Sequence, residues 1–327
     1  MRLTILGAGG VGAAAAAVAA ARGHAVTLWS PRGRATAGIG ASLRAEGLLE
    51  GRFPVQVAVD LGRAVARAEA ILLAVPGHAQ AGVMQRLAAV VQGQPALLVT
   101  PATGLSPLLL DRLLVARGLR IAVGAMAVTP VVAERLGDDG VRILALRRRI
   151  WLGAVPAGMA AAFAPLCRAL LGAEVVALPD ALAAALCDVT PLLLAAQALV
   201  PALAPASGPD RPADPVALSR VVRALAAERD ALGLAFGLAL PPAAALLAEA
   251  GGLPSLPAAR ALAEAPHALA FLLGLGRAAA VALPVTQSLQ TLFAVLGGHA
   301  PGALPPPEGL DPRQLARQLS DGAAMLA

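Results

Sequence analysis

The sequence predicts an α/β protein in which a doubly wound, mostly parallel sheet is followed by an all-helical second domain. Three observations carry this expectation. A short apolar strand at 3–6 runs into a glycine-rich turn at 7–12 and then into an alanine-rich segment of high helix propensity. Strand and helix patterns alternate as far as about residue 179. Beyond that point, one helical pattern follows another without a clear strand.

The glycine-rich turn has the G-x-G-x-x-G spacing of a dinucleotide-binding loop, and its strand–turn–helix context gives the pattern meaning. Gly7 permits the tight turn, Gly9 lets a diphosphate approach the backbone, and Gly12 lets helix and strand pack closely. The helix N-terminus adds unpaired N–H groups and a positive dipole end. A Rossmann domain is therefore predicted, with a cofactor loop formed by Gly7, Ala8, Gly9, Gly10, Val11 and Gly12.

The Rossmann domain is expected to span residues 1–179. The predicted elements after the first strand are a helix at 12–22, strands at 25–29, 71–75, 96–100 and 120–124, helices at 61–68, 80–92 and 105–117, and strands near 141–146 and 150–153. The domain closes with residues 158–172 and a short apolar run at 174–178.

The second domain, residues 180–327, reads as helices throughout. It begins with a helical stretch at 180–201 that is interrupted or kinked at Pro191 and followed by an exposed loop to residue 215. The further predicted helices lie at 216–236, 241–250, 256–275 and 284–296, with a last one near 312–325. A ligand cleft is expected between the two domains.

Composition narrows the function classes. The length of 327 residues suggests about two domains. The mean hydropathy of +0.73 comes largely from alanine, and the longest uncharged stretches are broken by glycine and proline, so we expect a soluble chain without a membrane partner. The chain has two cysteines, Cys167 and Cys187, which indicates a reducing, cytoplasmic compartment and no metal site.

Charge and missing residue types exclude further chemistry. The chain contains no Lys, Asn or Tyr, so neither a Lys nor a Tyr can act as a proton donor. The net charge of +6 is accompanied by only 2% aromatic residues, so a nucleic-acid platform lacks its stacking side chains. A small ligand rich in phosphate suits this basic balance.

The residues after the second strand indicate which cofactor is bound. NAD enzymes place an acidic residue there to accept from the ribose 2′-OH, whereas this chain has Ser30, Arg32 and Arg34. A hydroxyl and two guanidinium groups suit a 2′-phosphate, which favours NADP over NAD. The alternative is that both arginines only solvate a loop. Pro76 and Thr103 follow the next two strands and are expected to wall the nicotinamide.

Candidate catalytic residues are few. His78 follows the strand at 71–75, at the edge of the sheet where ligands bind. Glu264 and His267 lie three residues apart and could form a carboxylate–imidazole pair that polarises a carbonyl or imine. Structural roles, a helix start for His78 and a surface turn for the pair, are the alternatives. A substrate carboxylate would need an arginine, and Arg220, Arg223, Arg229, Arg260 and Arg277 are candidates.

Over nearly its whole length the chain resembles the octopine/nopaline (opine) dehydrogenase family, which belongs to the two-domain oxidoreductases that are similar to 6-phosphogluconate dehydrogenase. The resembling stretches are 5–12, 70–76, 100–104, 183–200, 226–241, 275–277 and 283–286. The resemblance implies an NADP-dependent oxidoreductase that transfers hydride to the imine, or carbonyl, formed from an amino acid and a 2-oxo acid. These two small molecules are the expected partners, and a homodimer stays open.

The chain departs from the family at its catalytic positions. The family's His is implied to fall at Leu194 and its two Asn at Asp188 and Thr190, while Glu264 falls near the partner Asp. Leucine cannot move a proton. Three explanations are open: the role has moved to His267 or His78, the substrate needs little acid catalysis, or the chain is a catalytically degraded NADP-binding or regulatory protein. A ketopantoate-reductase-like reductase is the neighbouring enzyme alternative, although such enzymes usually rely on a Lys.

Overall fold

The computed structural model describes residues 1–203, 215–250 and 258–298. These residues form two compact units, one spanning Met1–Ala185 and one containing the described residues from Leu186 onward. The boundary that the sequence suggests, between residues 179 and 180, stays a prediction.

The first unit contains two sheets. Its strands are β1 (Arg2–Leu6), β2 (Ala25–Trp29), β3 (Ser42–Gly47), β4 (Gly51–Pro54), β5 (Gln56–Val57), β6 (Ala70–Leu73), β7 (Ala96–Val99), β8 (Val123–Met126), β9 (Val131–Leu136), β10 (Gly140–Leu146), β11 (Arg149–Val155) and β12 (Glu174–Ala177). Its α-helices are α1 (Gly10–Ala21), α2 (Leu61–Val65), α3 (Gly77–Val90), α4 (Ser106–Val115), α5 (Ala164–Leu171) and α6 (Ala181–Cys187), the last of which ends just past the unit boundary.

The larger sheet confirms the predicted doubly wound architecture. Its eight strands lie in the order β12-β11-β8-β7-β6-β1-β2-β5. The six neighbouring strands β5, β2, β1, β6, β7 and β8 are parallel to one another, whereas β11 runs antiparallel to β8. The chain leaves β1 toward β2 on one side and returns to β6 on the other. The crevice at the carboxyl end of β1 is therefore the topological switch point where such sheets bind ligands.

A second, four-stranded sheet with the order β4-β3-β10-β9 corrects the sequence prediction. The strand expected near 141–146 exists as β10, but it belongs to this sheet and pairs with β3 in parallel, with Gly140 opposite Arg44. Strands β3, β4 and β9 were not predicted at all. Each of the three carries charged side chains, which weaken the apolar signal of a strand.

Helix α1 lies between the two sheets. It contacts β1 and β2 of the larger sheet and β3, β4, β9 and β10 of the smaller one. Consequently every residue from Gly12 to Ala20 is buried. A helix with no solvent face must be apolar all round, and alanine lets both sheets approach the helix axis closely. The alanine-rich stretch is thus explained by burial on every side.

The second unit is helical throughout its described residues. Its helices are α7 (Thr190–Leu203), α8 (Pro215–Ala235), α9 (Ala243–Ala250), α10 (Ala258–Ala279) and α11 (Pro284–Leu296). Helix α10 packs against α7, α8 and α11. The predicted stretch at 180–201 is broken between Cys187 and Thr190 rather than kinked at Pro191, because Pro191 lies in the first turn of α7, where proline is tolerated. The helix predicted near 312–325 lies outside the described residues.

One segment, Ala181–Leu199, is long and apolar enough to cross a membrane, with a mean hydropathy of 1.7 over its 19 residues. In this protein 78% of the segment is buried. A core helix of a soluble protein meets the same criteria. The absence of a membrane partner therefore stays a prediction.

Glu228 of α8 holds the start of α11. One carboxylate oxygen accepts from the backbone N–H of Val285 at 2.6 Å. The other accepts from the backbone N–H of Thr286 at 2.9 Å and from its hydroxyl at 2.6 Å. Helix α11 has no capping side chain at Leu283. The carboxylate therefore satisfies N–H groups that the helix start leaves without partners, and it complements the helix dipole.

We expect Glu228→Gln to lower the free energy of unfolding by about 2 kcal/mol, because the amide NH₂ would face donors where a charged acceptor now stands. Chemical denaturation followed by circular dichroism measures the change. Glu174→Gln is the matched control, since that exposed side chain makes no hydrogen bond within the described part of the chain. Equal stability of the two variants would contradict the capping role.

Candidate functional site

At two positions of the loop after β1, close backbone packing leaves room only for glycine. Gly7 has a φ of +122°, and a Cβ atom there would lie 2.2 Å from the carbonyl oxygen of Ala74. A Cβ atom at Gly12 would lie 1.9 Å from the carbonyl oxygen of Gly7. The backbone N–H of Gly7 donates to the carbonyl of Trp29 at 2.8 Å, which ties the loop to the end of β2. Both glycines thus have the structural roles that the fingerprint predicts.

Gly9 differs from its neighbours because the space beside it is open. No described residue comes within 4 Å of the position that its Cβ would occupy, and the residue is exposed at the N-terminus of α1. No side chain caps this helix start. Ala8 is buried and Val11 is half-buried. The loop therefore offers free backbone at the point where a diphosphate would approach, next to the positive end of α1.

Gly10 brings the second sheet to the same place. A Cβ atom at Gly10 would lie 2.5 Å from the carbonyl oxygen of Ala133 in β9. Strand β9 thus passes directly over the first turn of α1. The smaller sheet, which the sequence does not predict, helps to fix the position of the cofactor loop.

Ser30 is buried and its hydroxyl has a partner within the loop. Its Oγ lies 3.1 Å from the hydroxyl oxygen of Thr36, which itself donates to the carbonyl of Gly33 at 3.0 Å. Since the hydroxyl of Thr36 donates its proton to the Gly33 carbonyl, Ser30 is the donor in the contact between Ser30 and Thr36. A 2′-phosphate would have to compete with Thr36 for the proton of Ser30.

Arg32 and Arg34 remain available for an anion. Both side chains are exposed, and neither takes part in a hydrogen bond or ion pair with any described residue. No acidic residue follows β2 in this loop. Free guanidinium groups at the end of the second strand fit a phosphate on the ribose better than a bare hydroxyl.

The loops after β6 and β7 meet at the predicted nicotinamide wall. Pro76 is exposed at the start of α3, and Thr103 is exposed in the loop that precedes α4. A Cβ atom at Gly77 would lie 2.9 Å from the Cγ2 atom of Thr103, so the two loops are in contact. The structure therefore brings Pro76 and Thr103 to the same edge of the sheet, beside the cofactor loop.

A residue that the sequence reading did not single out, Gln80, braces these two loops. Its side-chain NH₂ donates to the carbonyl of Val75 at 3.2 Å and to that of Pro101 at 2.8 Å. The side chain is buried, and its carbonyl oxygen accepts no hydrogen bond from any residue that the structure describes. The available signal was its position, because Gln80 shares a helical stripe with the buried residues Val83, Met84 and Leu87.

The three candidate catalytic residues fall in different units. His78 is exposed in the first turn of α3, in the first unit. His267 is exposed on α10, in the second unit, and therefore lies on a helix rather than in a surface turn. Glu264 also belongs to α10, but its side chain lies outside the described residues. The predicted pairing of Glu264 with His267 stays a prediction.

The positions implied by the family resemblance lie around the start of α7. Leu194 is buried with 4% of its surface exposed. The carboxylate of Asp188 accepts the backbone N–H of Thr190 at 2.9 Å and so caps the helix start. Burial raises the pKa of Asp188 to about 6. The residues at these positions pack and cap, and Leu194 supplies no proton.

Arg229, a candidate for binding a substrate carboxylate, is committed to the fold. The side chain is 2% exposed, and its Nε donates to the carbonyl of Leu186 at 2.6 Å. One terminal nitrogen donates to the carbonyl of Pro241 at 2.9 Å and pairs with Asp230 at 2.6 Å. Within the residues whose side chains are described, no three His, Cys, Asp or Glu side chains come together as a metal site.

Comparison with known proteins agrees with this geometry. Residues 2–122 match the family model of the NAD-dependent glycerol-3-phosphate dehydrogenase N-terminus. A comparison with curated proteins gives no match.

Among solved structures, octopine dehydrogenase with NADH and L-arginine is similar with a TM-score of 0.72 and 15% identity, over 91% of this chain and 90% of that one. NADP⁺-bound yersinopine dehydrogenase gives 0.69 and 17%, over 99% of each chain. A PanE/ApbA family ketopantoate reductase from Ralstonia eutropha JMP134 gives 0.66 and 20%, over 91% and 99%. The resemblance to opine dehydrogenases is thus confirmed at the level of the fold.

Two glycine variants separate folding from binding in the loop. We expect Gly12→Ala to lower the free energy of unfolding by about 2–3 kcal/mol, because its methyl group would overlap the Gly7 carbonyl. Gly9→Ala should cost less, about 0.5–1 kcal/mol, because its methyl group enters open space and only the poorer capping by alanine matters. It should nevertheless weaken nucleotide binding, since that space is where a diphosphate approaches. Calorimetry measures both quantities, and undiminished binding by Gly9→Ala would contradict the assignment of the loop.

Asp188 gives a prediction about pH. Its folded-state pKa of about 6 exceeds the unfolded value of about 3.9, so the folded state holds the proton more tightly. The stability contribution is complete below pH ~4 and is lost as pH rises to ~6. We therefore expect Asp188→Asn to be more stable than the original protein at pH 8, by roughly 1–3 kcal/mol, and similar to it at pH 4.

Thermal unfolding at pH 4, 6 and 8 tests the Asp188 prediction. Asp60→Asn is the matched control, because that carboxylate also accepts a backbone N–H, from Arg63 at 2.9 Å, but is exposed. Parallel stability curves for Asp188→Asn and the original protein would show that burial of this carboxyl group has no energetic cost.

Proposed function

We propose that this protein is an NADP-dependent oxidoreductase of opine dehydrogenase type. Its reaction is hydride transfer to the imine, or carbonyl, formed from an amino acid and a 2-oxo acid. The observation that carries the proposal is the loop after β1, where Gly7 and Gly12 are fixed by backbone contact and Gly9 is open. A tight turn with exposed backbone at a helix N-terminus is suited to a dinucleotide diphosphate.

The preference for NADP rests on the loop after β2. Arg32 and Arg34 supply two charges that no described carboxylate neutralises. The preference is supported by the fold's similarity to NADP⁺-bound yersinopine dehydrogenase, although the similar octopine dehydrogenase structure contains NADH. Electrostatic complementarity to a 2′-phosphate is the physical reason for choosing NADP here.

NADPH supplies the hydride when it is bound. The chain's own task is to hold the nicotinamide end between the loops after β6 and β7, whose contact Gln80 maintains. A proton must also reach the substrate nitrogen or oxygen. Leu194 is apolar, so His78 or His267 is the group that we assign to this step, each exposed and therefore accessible to a substrate. Glu264 would orient His267.

Leu194 also supports a second candidate, an NADP-binding protein without catalysis. A buried leucine stands where the resemblance implies the proton-transferring His. A ketopantoate-reductase-like reaction fits the fold equally, but the chain has no Lys for it. Under each of these functions the partners are small molecules rather than nucleic acid. We also propose a cytoplasmic location, with which the free, buried Cys167 and Cys187 agree.

Calorimetric titration of the intact protein with NADPH and NADH tests cofactor binding. Consumption of NADPH with pairs of amino acid and 2-oxo acid, beginning with L-arginine and pyruvate, then tests catalysis. We expect NADPH to bind more tightly than NADH. We also expect one variant of the pair His78→Ala and His267→Ala to lower kcat by about a hundredfold or more, the other serving as its control.

The outcomes separate the candidates. Binding without turnover of any substrate pair would favour the non-catalytic function. Turnover that survives both histidine variants would show that the substrate needs no imidazole. If neither nucleotide binds, the glycine loop is only structural and the proposed function is wrong.

A further inference from the structure

Arg86 of α3 lies beside the loop that follows β2. Strand β2 ends at Trp29, which is 1% exposed and belongs to the same core cluster as Val83 and Leu87 of α3. Arg86 itself is exposed, so its side chain lies at the rim of this core. Its contacts with Trp29 and Pro31 place it at the start of the loop.

Two contacts fix the guanidinium group of Arg86. Its Cζ atom lies 4.9 Å from the centroid of the Trp29 ring, within the range of a cation–π contact. One terminal nitrogen lies 3.5 Å from the carbonyl oxygen of Pro31, a long contact that nevertheless brings the group to the loop. Neither contact neutralises the positive charge, and no carboxylate among the described residues pairs with Arg86.

We infer that Arg86 is a nucleotide-selectivity residue that recognises the 2′-phosphate of NADP. The inference rests on the proposed function, and it adds a third cation to Arg32 and Arg34 from a different element of the fold. The three arginines differ in how much side-chain freedom they lose when they bind a phosphate. The side chains of Arg32 and Arg34 make no hydrogen bond, ion pair or ring contact with the described residues, so ordering them costs side-chain entropy. Arg86 is already held by a ring face and a carbonyl, so less freedom is lost when it binds.

The Ser30 hydroxyl is already hydrogen-bonded, so recognition of a 2′-phosphate depends more on the arginines. The proton of Ser30 is directed to Thr36, so a phosphate gains little from that donor unless the contact is broken. Planar guanidinium groups can give a phosphate two parallel hydrogen bonds, which an ammonium group cannot. Arg86 is therefore expected to contribute to the difference between NADPH and NADH rather than to the binding that they share.

The inference must be separated from a purely structural role, in which Arg86 only covers Trp29. Arg86→Met keeps an unbranched side chain over the ring and removes the charge. Arg86→Lys keeps the charge and removes the planar group. Thermal unfolding of the free variants measures the structural role, whereas dissociation constants for NADPH and NADH measure selectivity.

The matched control is Arg148→Met, which removes the same charge from an exposed side chain elsewhere in the first unit. Arg148 directly precedes β11, which is five strands away from β2 in the sheet and thus about 24 Å distant at ~4.8 Å per strand. This variant should change neither dissociation constant by more than about twofold, because its charge is screened at that distance.

We expect Arg86→Met to raise the Kd for NADPH about tenfold or more and that for NADH by less than about twofold, with Arg86→Lys in between. An unchanged ratio of the two constants in Arg86→Met, while the original protein binds NADPH, would overturn the inference and leave the proposed function intact. If the original protein binds neither nucleotide, the proposed function fails and this inference fails with it.

Discussion

The contact between the backbones of β1 and α1 is the constraint on which the first unit depends. The Gly7 carbonyl lies so close to Gly12 that a single methyl group cannot fit between them. This approach sets the angle at which α1 leaves the sheet, and the second sheet packs on the far side of the same helix. The position of β9 over Gly10 and the exposure of Gly9 both follow from it. The cofactor loop is thus the corner at which two sheets and one helix are joined.

The elements with a strong local signal could be predicted from the sequence. The glycine fingerprint, most apolar strands of the larger sheet and the helix at 284–296 were located correctly, because each has its own periodicity or turn chemistry. The strand predicted at 120–124 lies instead at Val123–Met126, and the two-residue strand β5 was not predicted. The smaller sheet could not be predicted. Strand β3 is charged at Arg44 and Glu46, and of its two partners, β4 and β10, the second is remote in sequence, so its stability depends on pairing that its own residues do not reveal.

The candidate site divides in the same way. The roles of the loop glycines and of the arginines after β2 could be predicted from the sequence, because they depend on local backbone conformation and on charge. The roles of Gln80 and Arg86 could not be predicted from their residue types, since a glutamine or an arginine on a helix is ordinarily solvated. Their roles come from what lies across from them, the carbonyls of two loops and the ring of Trp29. For Arg86 such long-range packing leaves no signature in the sequence, whereas Gln80 has one weak signal, its place on the buried stripe of α3. For the catalytic residues, the resemblance gives no candidate at its main position, because Leu194 stands where it implies a His.

Helix α1 has no solvent face, and this has a consequence for the motions of the cofactor loop. The amide hydrogens of its buried residues 13–20 can reach water only when one of the two sheets separates from the helix, so they belong to the most protected class of amides in the first unit. The loop is anchored to this helix and to β1, both parts of the core. Under the proposed function, a nucleotide would therefore meet a diphosphate-binding loop that already has its final shape. The ordering that accompanies binding is confined to side chains at the rim, where Arg32 and Arg34 lie.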